Sequence, residues 1–347
     1  MEGGGIESSS DGSVKWEVTQ EDVLVYHNPH MDVFWEMPKG YSLPADVLLN
    51  LAEWLLLKGF GIDVPLEGSA RKPGRRVGLA YSGGVDSTAA FELLPDPVAI
   101  YTEVASPGRV HKIENALLAL NEVSGISIRT NADELAKKYG KSRGFYGTGG
   151  FTVPLVLLAD YFDFGVVADG NVLETAYLHS RSGHGTRYHK KNYSAVFERF
   201  RKAGLEYCMP CAGLTEVCTT ELASGYRYAM GCMRGEGGQP CDSCAKCFRK
   251  RALQGNPIPP NPESEAKMAR ELVPMLPSLL WAVEKHGLRH PLLSSIEKDI
   301  QWVDKWYEDS EQFIPVVLRP FVRRRLEQRG IDTLIDDSAI KNWISSR

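Results

Sequence analysis

Residues 77–90, with the sequence VGLAYSGGVDSTAA, constrain the fold of this chain more than any other segment. A short apolar run leads into a loop of small residues and then into an amphipathic segment, which is typical of a buried parallel strand followed by a helix. Gly83 and Gly84 allow positive φ angles and a close approach of the backbone to a ligand. Asp86 and Ser87 can cap the helix, whose N-terminus offers free N–H groups to an anion. The segment therefore predicts a phosphate-binding strand–loop–helix unit.

The chain that follows continues the alternation of strands and helices. Apolar runs typical of buried strands occur at residues 98–102, 126–130 and 164–170. Segments with helical spacing separate them, and this alternation predicts an α/β fold with a doubly wound parallel sheet. Ligands of such sheets bind beyond the carboxyl ends of the strands. We therefore expect residues 82–87, 103–111 and 169–174 to lie on one rim.

The segments on either side of this core differ from it in composition. Residues 1–13 are rich in Gly, Ser and acidic residues and lack the apolar region of a signal peptide, so we expect a disordered tail. Residues 14–74 predict two or three short strands and a helix as an N-terminal appendage. Residues 75–255 form the predicted nucleotide-binding domain with its metal motif. A proline-rich linker then opens a helical C-terminal extension, residues 256–347.

The loop at residues 82–87 belongs to neither of the two commonest phosphate-binding motifs. No lysine follows its glycines, as the Walker motif requires, and the dinucleotide fingerprint G-x-G-x-x-G does not fit. The loop reads S-G-G-V-D-S and resembles the PP-loop of the ATP pyrophosphatase superfamily, which has a HUP-like doubly wound sheet. The resemblance implies that ATP is cleaved between its α- and β-phosphates and that AMP is transferred to an oxygen of the substrate.

The same resemblance implies the roles of individual loop residues. Ser82 and Asp86 would be catalytic, with Asp86 helping to place Mg²⁺ beside the departing pyrophosphate. Eight residues would contact the nucleotide: Ala80, Tyr81, Ser82, Gly83, Gly84, Val85, Asp86 and Ser87. The alternative is a glycine-rich turn between a strand and a helix that binds no ligand.

All seven cysteines lie between Cys208 and Cys247, which favours a metal site in a reducing cytoplasm over a disulfide framework. Four of them follow the spacing C-x8-C-x2-C-x2-C: Cys232, Cys241, Cys244 and Cys247. Four thiolates can surround one tetrahedral Zn²⁺ and leave no position open, so the zinc would be structural. An iron–sulfur or redox site is the alternative. Cys208 and Cys211 could form a redox pair, but small buried thiols fit their surroundings better.

Residues 77–255 resemble the 7-cyano-7-deazaguanine synthase (QueC) family of PP-loop enzymes, which serves queuosine biosynthesis. Besides the PP-loop, the similarity rests on the cysteine run followed by F-R-K-R, on R-V-H-K-I-E at residues 109–114 and on G-N-V-L-E-T at residues 170–175. It implies substrate contacts from Arg109, His111, Asn171, Glu174 and Arg249. The alternatives are a solvent-exposed His111 and a Glu174 that only begins a helix.

The chain departs from that family in two places. Glu216 replaces a lysine that the family usually carries, and residues 178–197 lack the G-Y-P-D-C-R-P-x-F run near the deazaguanine pocket. A basic loop with three histidines occupies residues 179–191 instead. It either covers the active site against an anionic substrate or is a solvated loop, and the identity of the substrate is left open.

The resemblance implies an ATP-dependent, AMP-forming C–N ligase. A carboxylate would be adenylated, ammonia would give the amide, and a second ATP would drive its dehydration to the nitrile. A branch of the family could stop at the amide or join the deazaguanine to another acceptor. Two other classes are sulfur transfer to a nucleotide or tRNA, with Cys208 or Cys211 carrying a persulfide, and a non-catalytic ATP-sensing scaffold.

The net charge and the hydropathy of the chain restrict the classes of partner that it can bind. The net charge of −4 argues against a surface that binds nucleic acid, although the arginines of residues 319–329 leave room for an RNA or acidic partner. No apolar run approaches the roughly 18 residues of a membrane span. We expect a cytoplasmic enzyme that takes a 7-deazaguanine-like acid and ammonia, with ATP, Mg²⁺ and Zn²⁺, and without nucleic acid or membrane. A homodimer is compatible with this expectation.

Overall fold

The structure is a computed structural model of the chain. It describes residues 15–69, 71–104, 113–141, 148–178, 190–230, 232, 234–256, 262–289, 293, 299–336 and 338–345. Arg109, His111 and the basic loop up to residue 189 lie outside the described residues. Among the described residues, no helix has both the length and the apolar content that crossing a membrane requires.

The described chain contains ten strands and twelve α-helices. The strands are β1 Trp16–Val18, β2 Val23–Asn28, β3 Met31–Glu36, β4 Arg76–Ala80, β5 Val98–Val104, β6 Ile126–Thr130, β7 Phe164–Ala168, β8 Glu206–Cys208, β9 Trp306–Tyr307 and β10 Thr333–Leu334. The helices are α1 Asp46–Leu57, α2 Val85–Leu93, α3 Glu114–Glu122, α4 Ala132–Lys138, α5 Thr148–Leu157, α6 Ala159–Phe162, α7 Lys190–Lys202, α8 Glu216–Leu222, α9 Ala245–Leu253, α10 Pro262–His286, α11 Arg319–Gln328 and α12 Ser338–Ser345.

Eight strands form one sheet in the order β1-β2-β3-β6-β5-β4-β7-β8. Strands β4 to β8 are parallel to one another, which confirms the predicted α/β fold with a mostly parallel sheet. The first three strands are antiparallel and join the same sheet where Trp35 of β3 faces Thr130 of β6. The strand order reverses between β4 and β7, so the ligand crevice of this topology lies beyond the carboxyl ends of these two strands.

Helices cover both faces of the sheet because successive side chains of each buried strand point to opposite sides. In β7, Val167 packs into a core with α1 and α5, whereas Val166 and Ala168 pack into a second core with α2, α3 and α11. A third core joins α9 and α10 to Trp302 and Trp343. The C-terminal segment is therefore packed against the rest of the chain.

The C-terminal extension is only partly helical. Residues 301–304 form a turn that leads into β9, and β9 pairs in parallel with β10. Trp302, Val303 and Trp306 are all buried, and their spacing is that of one helix face, so the apolar pattern alone does not distinguish these turns from a helix.

Candidate nucleotide-binding and metal site

The predicted strand–loop–helix unit is present: β4 ends at Ala80 and α2 begins at Val85. Gly83 has a φ of +69°, in the left-handed region that favours glycine. A Cβ atom at Gly83 would lie 2.9 Å from the Cα atom of Ala116 in α3. The loop is thus pressed against α3, and both its conformation and its packing require glycine at this position.

Hydroxyl groups close the loop on itself. The Ser82 N–H donates to the Ser87 hydroxyl at 3.2 Å, and that hydroxyl donates to the Gly84 carbonyl at 3.0 Å. Thr88 donates its hydroxyl to the same carbonyl and also contacts the Tyr81 hydroxyl, each at 3.0 Å. The first hydrogen bond within α2 runs from the Thr88 N–H to the Gly84 carbonyl. The three N–H groups before Thr88 therefore have no partner inside the helix, as an anion site requires.

The first turn of α2 is contacted by segments that follow β7 and β8. The hydroxyl of Thr219, a buried residue of α8, donates to Asp86 Oδ1 at 2.8 Å. The Cys211 thiol donates to the Asp86 carbonyl at 3.7 Å. A Cβ atom at Gly170 would lie 2.7 Å from that carbonyl oxygen. Residues at the carboxyl ends of three strands thus meet at the crevice where the strand order reverses.

Asp169, immediately after β7, forms a buried polar cluster at this crevice. Its carboxylate accepts hydrogen bonds from the Asn171 N–H at 3.0 Å, from Asn171 Nδ2 at 2.6 Å and from the Tyr207 hydroxyl. Burial raises the pKa of the Asp169 carboxyl, and these hydrogen bonds offset the increase only in part. Asn171, a predicted substrate residue, therefore lies on the expected rim with its amide held by Asp169.

Glu174 and Arg249, predicted separately as substrate residues, meet at Glu216. Glu174 Oε1 accepts the Glu216 N–H and the Ser278 hydroxyl, both at 2.8 Å, and Arg249 forms a 3.1 Å ion pair with Glu216 Oε1. Burial and the charge of Glu216 raise the pKa of Glu174 to about 8. Glu174 begins a single π-helical turn, Glu174–Leu178, a distortion often found at functional sites.

The four predicted metal ligands come together, with their Sγ atoms all within 4.8 Å of one another. The Cys241 and Cys247 sulfurs are 3.8 Å apart, and those of Cys244 and Cys247 are 3.5 Å apart. Four sulfurs at about 2.3 Å from one tetrahedral ion would be about 3.8 Å apart, so the set fits a single metal ion. An iron–sulfur cluster fits this spacing less well, because each thiolate would bind a different iron atom.

The cysteine segment is tied to the nucleotide loop through α3. Asn115 Nδ2 donates to the Gln239 carbonyl at 3.1 Å, and Asn115 Oδ1 accepts the Gly238 N–H at 2.8 Å. Just before the first ligand, the Met230 N–H donates to the Gly83 carbonyl at 3.2 Å. The loop between the first two cysteine ligands and the loop at residues 82–87 therefore both contact α3.

The other three cysteines, Cys208, Cys211 and Cys218, are free and buried. Burial raises the pKa of each of these thiols, to about 12 for Cys218. They are therefore neutral thiols at physiological pH, in agreement with the buried apolar role that the sequence favours.

Several contributing residues were not singled out from the sequence. They are Asn115, Tyr207 and Thr219, whereas Lys250 was part of the F-R-K-R run but was assigned no contact. Only α8 carried a local signal, because Thr215 caps the helix by accepting the Val217 N–H and Thr219 follows one turn later. The partner of each missed side chain is distant in sequence, so periodicity could not reveal it.

The chain is similar to one family model and to a solved structure. A model described as a family of unknown function (DUF6395) matches residues 195–270, which include the four clustered cysteines but not the nucleotide loop. No curated protein matches the chain. The U34-tRNA thiolase NcsA from Methanococcus maripaludis, solved with its [4Fe-4S] cluster, is 14% identical over 73% of this chain and 81% of its own, with a TM-score of 0.29.

The site is therefore defined by its own geometry. The loop at residues 82–87 and the N–H groups at the start of α2 lie at the crevice, where the buried Asp169 follows β7. The segment that carries the four cysteines contacts α3, as the loop does. These parts can hold a polyphosphate and, separately, one thiolate-bound metal ion.

Proposed function

We propose that this protein is a PP-loop enzyme that cleaves ATP between its α- and β-phosphates and transfers AMP to a carboxylate oxygen of its substrate. The observation that carries the proposal is the position of the loop at residues 82–87. It joins β4 to α2 where the strand order reverses, with its glycine conformation and its helix N-terminus as a PP-loop requires. The S-G-G-V-D-S sequence supports the same chemistry.

In this reaction the protein supplies positioning and charge stabilisation rather than a nucleophile. The N–H groups at the start of α2 would bind the phosphates, with Ser82 and Ser87 shaping the loop around them. Asp86 would place Mg²⁺ so that the charge on the departing pyrophosphate is neutralised. The remaining contacts of the nucleotide would come from the other loop residues between Ala80 and Ser87.

The finer proposal is a reaction like that of 7-cyano-7-deazaguanine synthase. Ammonia would displace AMP from the acyl-adenylate to form an amide, and a second adenylation would allow dehydration to the nitrile. A branch that stops at the amide or uses another acceptor differs only in the last step. The departures at Glu216 and at residues 178–197 leave the acid to be identified.

Among the proposed substrate residues, the structure suggests two kinds of role. Asn171 directly follows Gly170, which packs against the Asp86 carbonyl, and in our proposal its amide faces the substrate. Glu174 and Arg249 contact Glu216, so in our proposal they hold α8 in place beside the crevice. Arg109 and His111 remain proposed substrate contacts on sequence grounds alone. The cysteine cluster would hold a structural Zn²⁺.

The proposal is tested by incubating the purified chain with ATP, Mg²⁺, ammonium and a panel of purine-like acids that includes 7-carboxy-7-deazaguanine. We expect AMP and pyrophosphate in equal amounts, with the amide or nitrile identified by mass spectrometry. Asp86→Asn should abolish turnover, whereas Asp96→Asn, which lies just after the same helix and away from the loop, should not. Absence of AMP across the panel would instead favour a non-catalytic ATP-binding scaffold.

Sulfur transfer is the second candidate, and one contact favours it: the Cys211 thiol lies against the first turn of the nucleotide-binding helix. A persulfide there, formed by transfer of sulfane sulfur from a donor persulfide that is left as a thiol, would lie beside the activated substrate. Against it, burial raises the pKa of that thiol and leaves little thiolate to receive sulfur. The variant Cys211→Ser tests this candidate, with Cys218→Ser as the matched control. If Cys211→Ser shows the ATP-dependent turnover of the wild type, a persulfide on Cys211 is excluded.

A further inference from the structure

In the part of the chain that the structure describes, one side chain donates to the carboxylate of Asp86, the acidic residue of the nucleotide loop. Thr219 has no exposed surface, and its hydroxyl donates to Asp86 Oδ1 at 2.8 Å. Its distance to the Glu216 carbonyl, the other acceptor within reach, is 3.4 Å, so the carboxylate is the nearer partner. Among the described residues no other side chain donates to the Asp86 carboxylate. One carboxylate oxygen is therefore fixed and the other is left for a ligand.

Helix α8, which carries Thr219, is itself held on another side by α9. Lys250 Nζ donates to the Thr220 hydroxyl at 3.1 Å, and Arg249 pairs with Glu216 at 3.1 Å. The side chains of Arg249 and Glu216 are only 17% and 11% exposed, so solvent screens this pair weakly. Two adjacent residues of α9 thus bind side chains in the first two turns of α8.

Helix α9 in turn begins at the cysteine site. Cys244 is its N-cap residue and Cys247 lies in its first turn. The described contacts therefore form a continuous path from the cysteine cluster through α9 and α8 to the Asp86 carboxylate. Each step of the path is a hydrogen bond, an ion pair or a covalent segment of helix.

We propose that Thr219 is a positioning residue that sets the Asp86 carboxylate for the metal–nucleotide complex, and that α9 keeps α8 in the position this requires. The proposal rests on the function proposed above and assigns it a residue that the PP-loop motif does not contain. Without the Thr219 hydroxyl, the half-buried Asp86 side chain would sample other rotamers at the N-terminus of α2. The Mg²⁺ requirement would then increase, whereas contacts of the nucleotide with the backbone would remain.

The test measures binding of an ATP analogue with a methylene group between its α- and β-phosphates, titrated with Mg²⁺ by isothermal calorimetry. Thr219→Val removes the hydroxyl at nearly constant volume, and Thr219→Ser retains it. We expect Thr219→Val to raise the Mg²⁺ concentration for half-maximal binding about tenfold, the effect of losing a hydrogen bond to a charged group. Affinity measured without Mg²⁺ should not change, and Thr219→Ser should behave like the wild type.

Further variants separate positioning from stability. In an Asp86→Asn background, Thr219→Val should have no additional effect on the Mg²⁺ requirement, because both changes act on one carboxylate. Lys250→Met should shift the Mg²⁺ requirement in the same direction but less. A wild-type Mg²⁺ dependence in Lys250→Met would overturn the role of α9. If Thr219→Val does not fold, Thr219→Ala replaces it.

Two results would overturn the proposal in distinguishable ways. If the wild-type chain binds the analogue and Thr219→Val shows an unchanged Mg²⁺ dependence, the positioning role is wrong while the proposed function stands. If the wild-type chain does not bind the analogue at any Mg²⁺ concentration, the proposed function is wrong and the positioning role is lost with it.

Discussion

Glu174 Oε1 accepts the backbone N–H of Glu216 at 2.8 Å, which places two acidic side chains together in a buried part of the chain. Glu216 is compensated by Arg249, whereas the second oxygen of Glu174 is buried without a hydrogen bond. Glu174 and Glu216 together are therefore more stable with one negative charge than with two. This is the physical reason that the pKa of Glu174 is raised, with burial as the larger cause and Glu216 as the next.

The first prediction follows from that pKa. Its value in the folded chain is about 8, against an ordinary value of 4.5, so the folded state holds the proton more tightly than the unfolded state. The stability contributed by this proton is complete below the unfolded pKa and is lost as pH rises through the folded pKa. As the pH rises from about 5 to 8, we expect the urea concentration at the unfolding midpoint of the wild type to decrease, because this contribution is lost.

Glu174→Gln should flatten that pH profile, because the amide cannot ionise and still offers an oxygen to the Glu216 N–H. Denaturation by urea at several pH values, followed by circular dichroism, measures the effect. A wild-type pH dependence in Glu174→Gln would mean that other groups cause the loss of stability.

The second prediction concerns the metal. We expect one zinc per chain, with no acid-labile sulfide, because the four sulfurs fit one tetrahedral ion. Cys244→Ser should lower the zinc content and the melting temperature, whereas Cys218→Ser, buried outside the cluster, should keep the zinc. Elemental analysis with a sulfide assay decides between the metals, and iron with an equal amount of sulfide would favour a cluster instead.

The third prediction concerns Asn115, which holds the loop between the first two cysteine ligands. Asn115→Ala should accelerate zinc transfer to a chromogenic chelator by about tenfold, at the low end of the effects seen when support of a metal site is removed. Asn121→Ala, on the exposed side of the same helix, controls for helix propensity and should not change the rate. Equal rates in the two variants would show that the Asn115 contacts do not stabilise the metal site.

The fourth prediction separates backbone strain from packing in the nucleotide loop. Gly83→Ala should cost the strain of a left-handed residue, about 1–2 kcal/mol, and in addition displace α3. Gly40→Ala is the matched control, since Gly40 has a φ of +78° but no atom within 4 Å of an added Cβ. We expect Gly83→Ala to be clearly the less stable of the two in urea and to lose nucleotide binding. Equal stability would mean that α3 does not restrict the loop.

The sequence was most informative where structure is set by neighbours along the chain. The small-residue loop after an apolar run determined the β4–loop–α2 unit, and the tight cysteine spacing determined the metal cluster. The contact between Thr219 and Asp86 spans 133 residues, and the Glu174–Glu216 contact spans 42. Such pairs depend on how α8 packs after the sheet has formed, and no local pattern encodes them.

The N-terminal segment shows the same limit. Its short strands could be predicted from alternating residues, but their place in the central sheet could not. They join it through one antiparallel register, Trp35 beside Thr130. The side chain of Asn131 adds to this junction by accepting the Phe34 N–H and donating to the Asp32 carbonyl. These are long-range contacts that only the folded sheet creates.

The central claim, transfer of AMP to a carboxylate oxygen, is tested most directly with a substrate in which both carboxylate oxygens are ¹⁸O. When ammonia displaces AMP from the acyl-adenylate, one carboxylate oxygen leaves on the phosphate of AMP. The account predicts one ¹⁸O atom in each AMP formed and none in pyrophosphate, measured by mass spectrometry during turnover of 7-carboxy-7-deazaguanine or another acid of the panel. AMP without the label, or ADP and phosphate as products, would contradict it.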